Sequence, residues 1–288
     1  MAMLPNPLPR LADDPTGATL GLRLPPGTLV DATADGAWHE PLLWYADGPA
    51  DAGTWAALRA ARAVGLHPVL IEVDEKSPEG PADWELMPAS MSYPGDHDAE
   101  EVLAGFLVDL TDDDDGADED DEREDDGADA AAEGPGAPED ADGEEWAGLA
   151  PGGVCDTDPD ELAAEATAEL VGSGDLSSPH AALVHARRSA DIPAAIGWSG
   201  PVNHEQDVAR LCAVLRSWED RFGIRLVALG FDTLTVTVAA PPRTLAAAEA
   251  VAVEHYAFCP DTIDQGTRPL SEYAQALVDA RTWHFWWD

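Results

Sequence analysis

One block of charge limits what this chain can fold into more than any other feature. Residues 112–175 hold 26 Asp and Glu against a single base, Arg123. Residues 1–111 carry 18 acids and 5 bases, and residues 176–288 carry 13 acids and 9 bases. More than half of the formal charge of −42 therefore sits in this segment. A stretch with few apolar residues and repelling charges cannot bury enough surface to offset its chain entropy. The expectation is an acidic, disordered linker over 111–175, its clearest part roughly 111–160. It divides the chain into an irregular arm (1–25), a small α/β region (26–110) and a C-terminal α/β domain (176–288). Three uses of the linker stand open: contact with a basic partner, mimicry of nucleic acid, or a solvating spacer. The 14 Arg against one Lys, Lys76, suit a high-GC coding sequence.

The same arithmetic removes several function classes. A sequence pI near 4.1 argues against nucleic acid as a partner, because phosphate contacts need clustered Lys and Arg. There is no run of ~18 apolar residues and no charged-then-apolar leader, so no membrane partner is expected and the cytoplasm is the expected location. Cys155, Cys212 and Cys259 are too few and too far apart for a disulfide framework. Neither GxGxxG nor GxxxxGK[ST] occurs, and no cofactor is expected.

Upstream of the linker, Thr28–Val30 and His39–Tyr45 read as strands. Trp55, Leu58, Ala61 and Val64 mark a helix with Asp51 as N-cap and Gly65 as its stop. His67–Val73 is apolar enough for a central strand, Trp84–Pro94 reads as loop, and Asp98–Leu110 as helix.

Downstream, Ala181–Ala186 and Ile192–Trp198 read as short strands. Asn203 and Gln206 suggest a capping box for a helix over 204–222 that carries Val208, Leu211, Cys212, Leu215, Trp218 and Phe222 on one stripe. Ile224–Leu229 is a strand. Leu234, Val236 and Val238 alternate with threonines, predicting a half-buried strand whose threonines face water. Helices follow over Thr244–Phe258 and near Leu270–Val278, and TWHFWWD closes the chain as an aromatic strand. The expected fold is α/β (α+β): a two-layer sandwich with a mixed sheet and a βαββαβ-like C-terminal domain.

Several of these segments together resemble the bacterial domain of unknown function 4253 family. They are GW-x-G-x-x-N (Gly197–Asn203), LRSWEDRFG (Leu215–Gly223), LGFDTL (Leu229–Leu234), EHYAFCPD with the following Gln265-Gly266, and W-x-FWWD at the end. The resemblance covers roughly residues 180–288, and the helix and GLHPVLI near 55–71 are similar to the region that precedes the domain in such proteins. It implies domain limits, and brings with it no activity, substrate or cofactor.

Within EHYAFCPD, His255 lies one helical turn before Cys259, with Asp261 just beyond, which offers a thiol nucleophile with its base. The helix C-terminus opposes a thiolate there. A zinc pair His255/Cys259 completed by Cys212, His204 or His284, or a cation held by Glu254, Asp261 and Asp264, are weaker readings, and no metal is assigned. The structural alternative makes His255 and Cys259 core residues and Asp261 a turn cap. Arg216 reads as an i,i+4 partner of Asp220. It or Arg221 could instead bind a carboxylate or phosphate. Trp286 lies on the strand face opposite Trp283, Phe285 and Trp287, which makes it a candidate partner or ligand patch. The expected function is a non-catalytic binding or protein-interaction module for an unidentified protein or small ligand. The alternative is a hydrolase or thiol enzyme using Cys259 and His255.

Overall fold

The computed structural model describes residues 5–117, 146–266 and 269–288, the side chains of 111–117 excepted. Its frame is a seven-stranded sheet: β1 (Gly27–Val30), β2 (Leu43–Pro49), β3 (Leu66–Ile71), β4 (His180–His185), β5 (Ile224–Leu229), β6 (Thr233–Val238) and β7 (Thr282–Trp286), in the order β1-β2-β4-β3-β5-β6-β7. Only β3 and β5 pair in parallel, with Leu70 opposite Ala228 and Ile71 opposite Leu229, so the sheet is mixed. The α/β reading holds, but the expected first strand of the βαββαβ order, Ile192–Trp198, is a helix over Ile192–Ile196, and β4 takes its place ahead of β5, β6 and β7. The expected division into separate upstream and C-terminal units does not hold. β4 lies between β2 and β3, with Trp44 opposite Leu183 on one side and Pro68 opposite Leu183 on the other. The first strand after the acidic segment is thus hydrogen-bonded only to strands that precede it.

Both faces of the sheet are covered. On one face lie α2 (Ala99–Ala117), α4 (Ile192–Ile196), α5 (Val208–Phe222), α6 (Leu245–Phe258) and α7 (Leu270–Leu277). They close a core that includes Leu103, Trp218, Phe258, Trp283, Phe285 and Trp287. On the other, α1 (Thr54–Leu58) and α3 (Pro159–Ser173) cover Leu70, Val227 and Ala228. The arm before residue 25, expected to be irregular, forms an α-helical turn at Arg10–Asp13 and a 3-10 turn at Ala18–Leu20, and it buries Leu8, Leu11, Leu20 and Leu22 against Trp44, Leu66 and Leu183. The sheet is the middle of three layers rather than one of two. Strands β3, β4 and β5 are apolar on both sides for this reason.

The expected linker over 111–145 lies outside the described residues apart from the backbone of α2, which continues to Ala117. Its expected continuation over 146–175 is corrected. Asp158 caps α3 by accepting from the backbone N–H of Asp160 and Glu161, Pro159 opens the helix, and Gly174 closes it in the left-handed region at φ 80°. Ala163 and Thr167 are buried and Asp160 pairs with Arg225. α3 also packs against β6, so Thr235 and Thr237 are buried instead of facing water. Two further segments differ from expectation. Residues 192–196 form a helix, with Pro193 in its first turn, where a missing N–H costs nothing. α5 starts at Val208 with Asp207 as its cap, and Asn203 instead donates to the backbone carbonyl of Asp288 at 2.9 Å. The terminal strand is integral: β7 pairs with β6 along its length, and Trp283, Phe285 and Trp287 are buried.

Candidate functional site

The EHYAFCPD residues end α6 inside the core. His255 is 1% exposed, with its ring centroid 4.5 Å from that of Trp283 and 4.9 Å from those of Trp218 and Phe285. Its Nδ1 shares a 2.9 Å hydrogen bond with the Tyr273 hydroxyl. Burial, with the Arg221 guanidinium adding to it, pushes its pKa down to about 3, so the ring is neutral. Cys259 is fully buried. Its thiol donates to the Trp286 carbonyl at 3.0 Å and lies 3.1 Å from the Thr262 hydroxyl. Burial pushes this thiol up to about 12, the opposite of what a nucleophile needs. Asp261 accepts from the Asp288 N–H at 3.1 Å and from the Gln265 side chain at 3.2 Å. The three side chains have separate partners. No group of three or more His, Cys, Asp and Glu among the described residues is placed to hold a metal.

Glu254, grouped with the acids from sequence, is fully buried and serves as a joint. Arg221 grips it with two hydrogen bonds of 2.6 and 2.8 Å, Trp218 Nε1 donates at 2.7 Å, and the Ala150 N–H donates at 2.6 Å. α5, α6 and the segment entering α3 are pinned to one carboxylate. Arg221 is therefore occupied, as is Arg216, which forks onto Asp191 at 2.5 and 2.8 Å rather than onto Asp220. Asp220 pairs with Arg188. Trp286 is half-buried on the face opposite Phe285, and Lys76 lies 5.8 Å from its ring centroid while pairing with Asp232.

The structure offers a site where sequence reasoning placed none. Beyond the C-terminal end of β4, a cleft of about 320 Å³ is walled by Trp38 and Leu42, by Met91 and Tyr93, by Arg187 and by Ala195 of α4. Family-like motif residues set its shape without lining it. Gly197, at φ 68°, carries the 87–94 loop so closely that a Cβ there would sit 2.2 Å from the Pro88 nitrogen, and its carbonyl accepts from the Met87 N–H at 2.7 Å. Trp198 behind it donates to the Gly230 carbonyl at 3.0 Å. The Tyr93 ring gathers two guanidinium groups, Arg187 at 4.8 Å and Arg216 at 5.1 Å from its centroid. Arg187 also donates to the Tyr93 hydroxyl. Asp191 neutralises Arg216; no described carboxylate forms an ion pair with Arg187.

A second hollow, of about 380 Å³, is lined by Asp156, Arg243, Asp279 and Arg281, but its arginines pair with Asp156 and Glu165. The only sequence signal for the cleft was the Arg187-Arg188 doublet just after a strand in a strongly acidic chain.

No helix among the described residues is long and apolar enough to cross a membrane. No curated protein and no solved structure matches the chain. Residues 180–288 match the model of a domain of unknown function, DUF4253, consistent with a C-terminal domain of that family.

Proposed function

We propose that this protein is a non-catalytic binding module whose ligand seat is the cleft between the 88–94 loop, β4 and α4. One observation carries the reading: Arg187 stands in an open cleft with an aromatic neighbour and no carboxylate partner among the described residues. The residues that suggested thiol chemistry, Cys259 and His255, are sealed in the core with other partners. The cleft also spans the join between the family domain and the segment before it, since Trp38, Met91 and Tyr93 precede residue 180. Three free cysteines support a cytoplasmic setting.

The test is a thermal-shift screen of charged and neutral small molecules against the full chain and against Ala195→Trp, which fills the cleft. The expected outcome is a set of stabilising compounds whose effect disappears in Ala195→Trp and which mass spectrometry recovers unchanged. Compounds that stabilise both proteins equally would place the seat elsewhere, and turnover of a bound compound would make the protein an enzyme.

A further inference from the structure

We infer that the cleft takes a ligand with a single carboxylate on an apolar, ring-sized body, the carboxylate meeting Arg187. This rests on the binding reading above and names the ligand class for that seat.

The charge inventory carries the argument. In a chain of formal charge −42, a cation has acids to choose from on every side. The described arginines of the family domain have done so. Arg188 pairs with Asp220, Arg210 with Glu205, Arg216 with Asp191 and Arg221 with Glu254. Arg225 pairs with Asp160, Arg243 with Asp156 and Arg281 with Glu165. Arg187 is the exception among them. Its side chain is exposed yet held: the Tyr93 ring and hydroxyl keep its guanidinium at the cleft wall. A guanidinium presents a planar fork of donors, and a carboxylate matches that fork with two parallel hydrogen bonds.

The rest of the lining narrows the anion and describes its body. Glu40 and Asp191 also line the cleft, and Asp191 is already spoken for by Arg216. A doubly charged phosphate would face the Glu40 carboxylate with only Arg187 to offset it, whereas one negative charge is matched by one guanidinium. Trp38, Leu42, Met91, Pro94, Ala194 and Ala195 supply the apolar and aromatic wall for the remainder of the ligand. The volume of about 320 Å³ lies at the small end of ligand pockets, which suits a metabolite-sized acid rather than a peptide.

Four probes that share a benzyl or phenyl body separate the possibilities: phenylacetate, phenyl phosphate, benzylamine and benzyl alcohol. Binding to the full chain is measured by calorimetry, and the Arg187 side-chain N–H signals are followed by NMR. Phenylacetate is expected to bind at least about tenfold tighter than each of the other three, to shift the Arg187 signals, and to lose about tenfold or more in affinity with Arg187→Gln. Tyr93→Phe, which keeps the ring and removes the hydroxyl, should weaken binding less than Arg187→Gln.

Equal binding of phenylacetate and benzyl alcohol, or preference for benzylamine, overturns the carboxylate assignment and leaves the seat intact. Tighter binding of phenyl phosphate replaces the carboxylate with a phosphate ester. If no probe binds while another compound from the screen is lost in Ala195→Trp, the ligand class falls and the binding reading survives. If nothing is sensitive to Ala195→Trp, both fall.

Discussion

Two guanidinium groups of this molecule have opposite fates. Arg221 is half-buried against Glu254 and makes four hydrogen bonds, to two carboxylate oxygens, the Ala150 carbonyl and the Ser217 hydroxyl. Arg187 keeps one described hydrogen-bond partner, the Tyr93 hydroxyl, and opens onto a cleft. Both were arginines in an acidic chain, and the sequence favoured Arg221 because it lies in a motif-rich helix. Completion of partners is what separates them. A charged group whose bonds are all made inside the protein holds the fold; one that the protein orients and leaves unneutralised is available to something else. The same contrast applies to thiol and imidazole: Cys259 and His255 sit in a recognisable motif and are spent on Trp286, Thr262 and Tyr273.

The sharpest way to break the comparison is to cut both sides. Glu254→Ala leaves the half-buried Arg221 charge and the buried Trp218 and Ala150 N–H groups without their acceptor. Removing one partner of a buried pair typically costs about 3–5 kcal/mol. Arg187→Gln should leave the urea midpoint where it was. If urea denaturation shows the two variants equally stable, the division between a spent and a free arginine is wrong.

Acid provides a graded version. His255, held down to about 3, and His67, held down to about 4 by burial with Arg62 nearby, stay neutral in the folded chain while the unfolded chain protonates them near 6.5. Below about pH 6.5 the unfolded state therefore binds more protons, and each histidine should remove about 1.4 kcal/mol of stability per pH unit. The loss runs down to about pH 4 for His67 and about pH 3 for His255, and above pH 6.5 neither contributes a slope. The check is denaturant unfolding at stepped pH for the parent and for His255→Gln. A parent whose stability is flat from pH 7 to 5 would show that these rings are charged in the fold.

The smallest effect is a rate ratio and leaves the fold untouched. Cys155 is exposed, while burial pushes the thiols of Cys212 and Cys259 upward. A thiol-reactive probe at neutral pH should label Cys155 first, as peptide mapping would show. Prior labelling of Cys259 would reopen the thiol chemistry.

Much of the architecture was legible from periodicity. The α5 stripe, the β5–β6 hairpin, α6 with its Thr244 cap and the alternating aromatics of β7 all follow from local pattern. Three things were not. α3 is hidden in the acidic block, where composition averaged over 64 residues outweighs a good cap, an opening proline and a closing glycine. Without α3 in view, the threonines of β6 read as a wet face. Residues 192–196 form an apolar run too short for its period to separate helix from strand. The site was least legible, because its walls come from residues 38–42, 91–94 and 185–195, and no local pattern says that these meet.

The position of β4 has a consequence for how the protein comes into being. During synthesis β2 and β3 emerge first, and the place between them stays empty until more than a hundred further residues have been made, since Ile71 pairs with His180. Two strand edges wait, unpaired, for a partner that comes late. Non-local pairing of this kind slows folding, and waiting edges recruit the wrong strand when another chain is close. A nascent chain of this protein thus passes through a window of crowding hazard that closes only when β4 slots home.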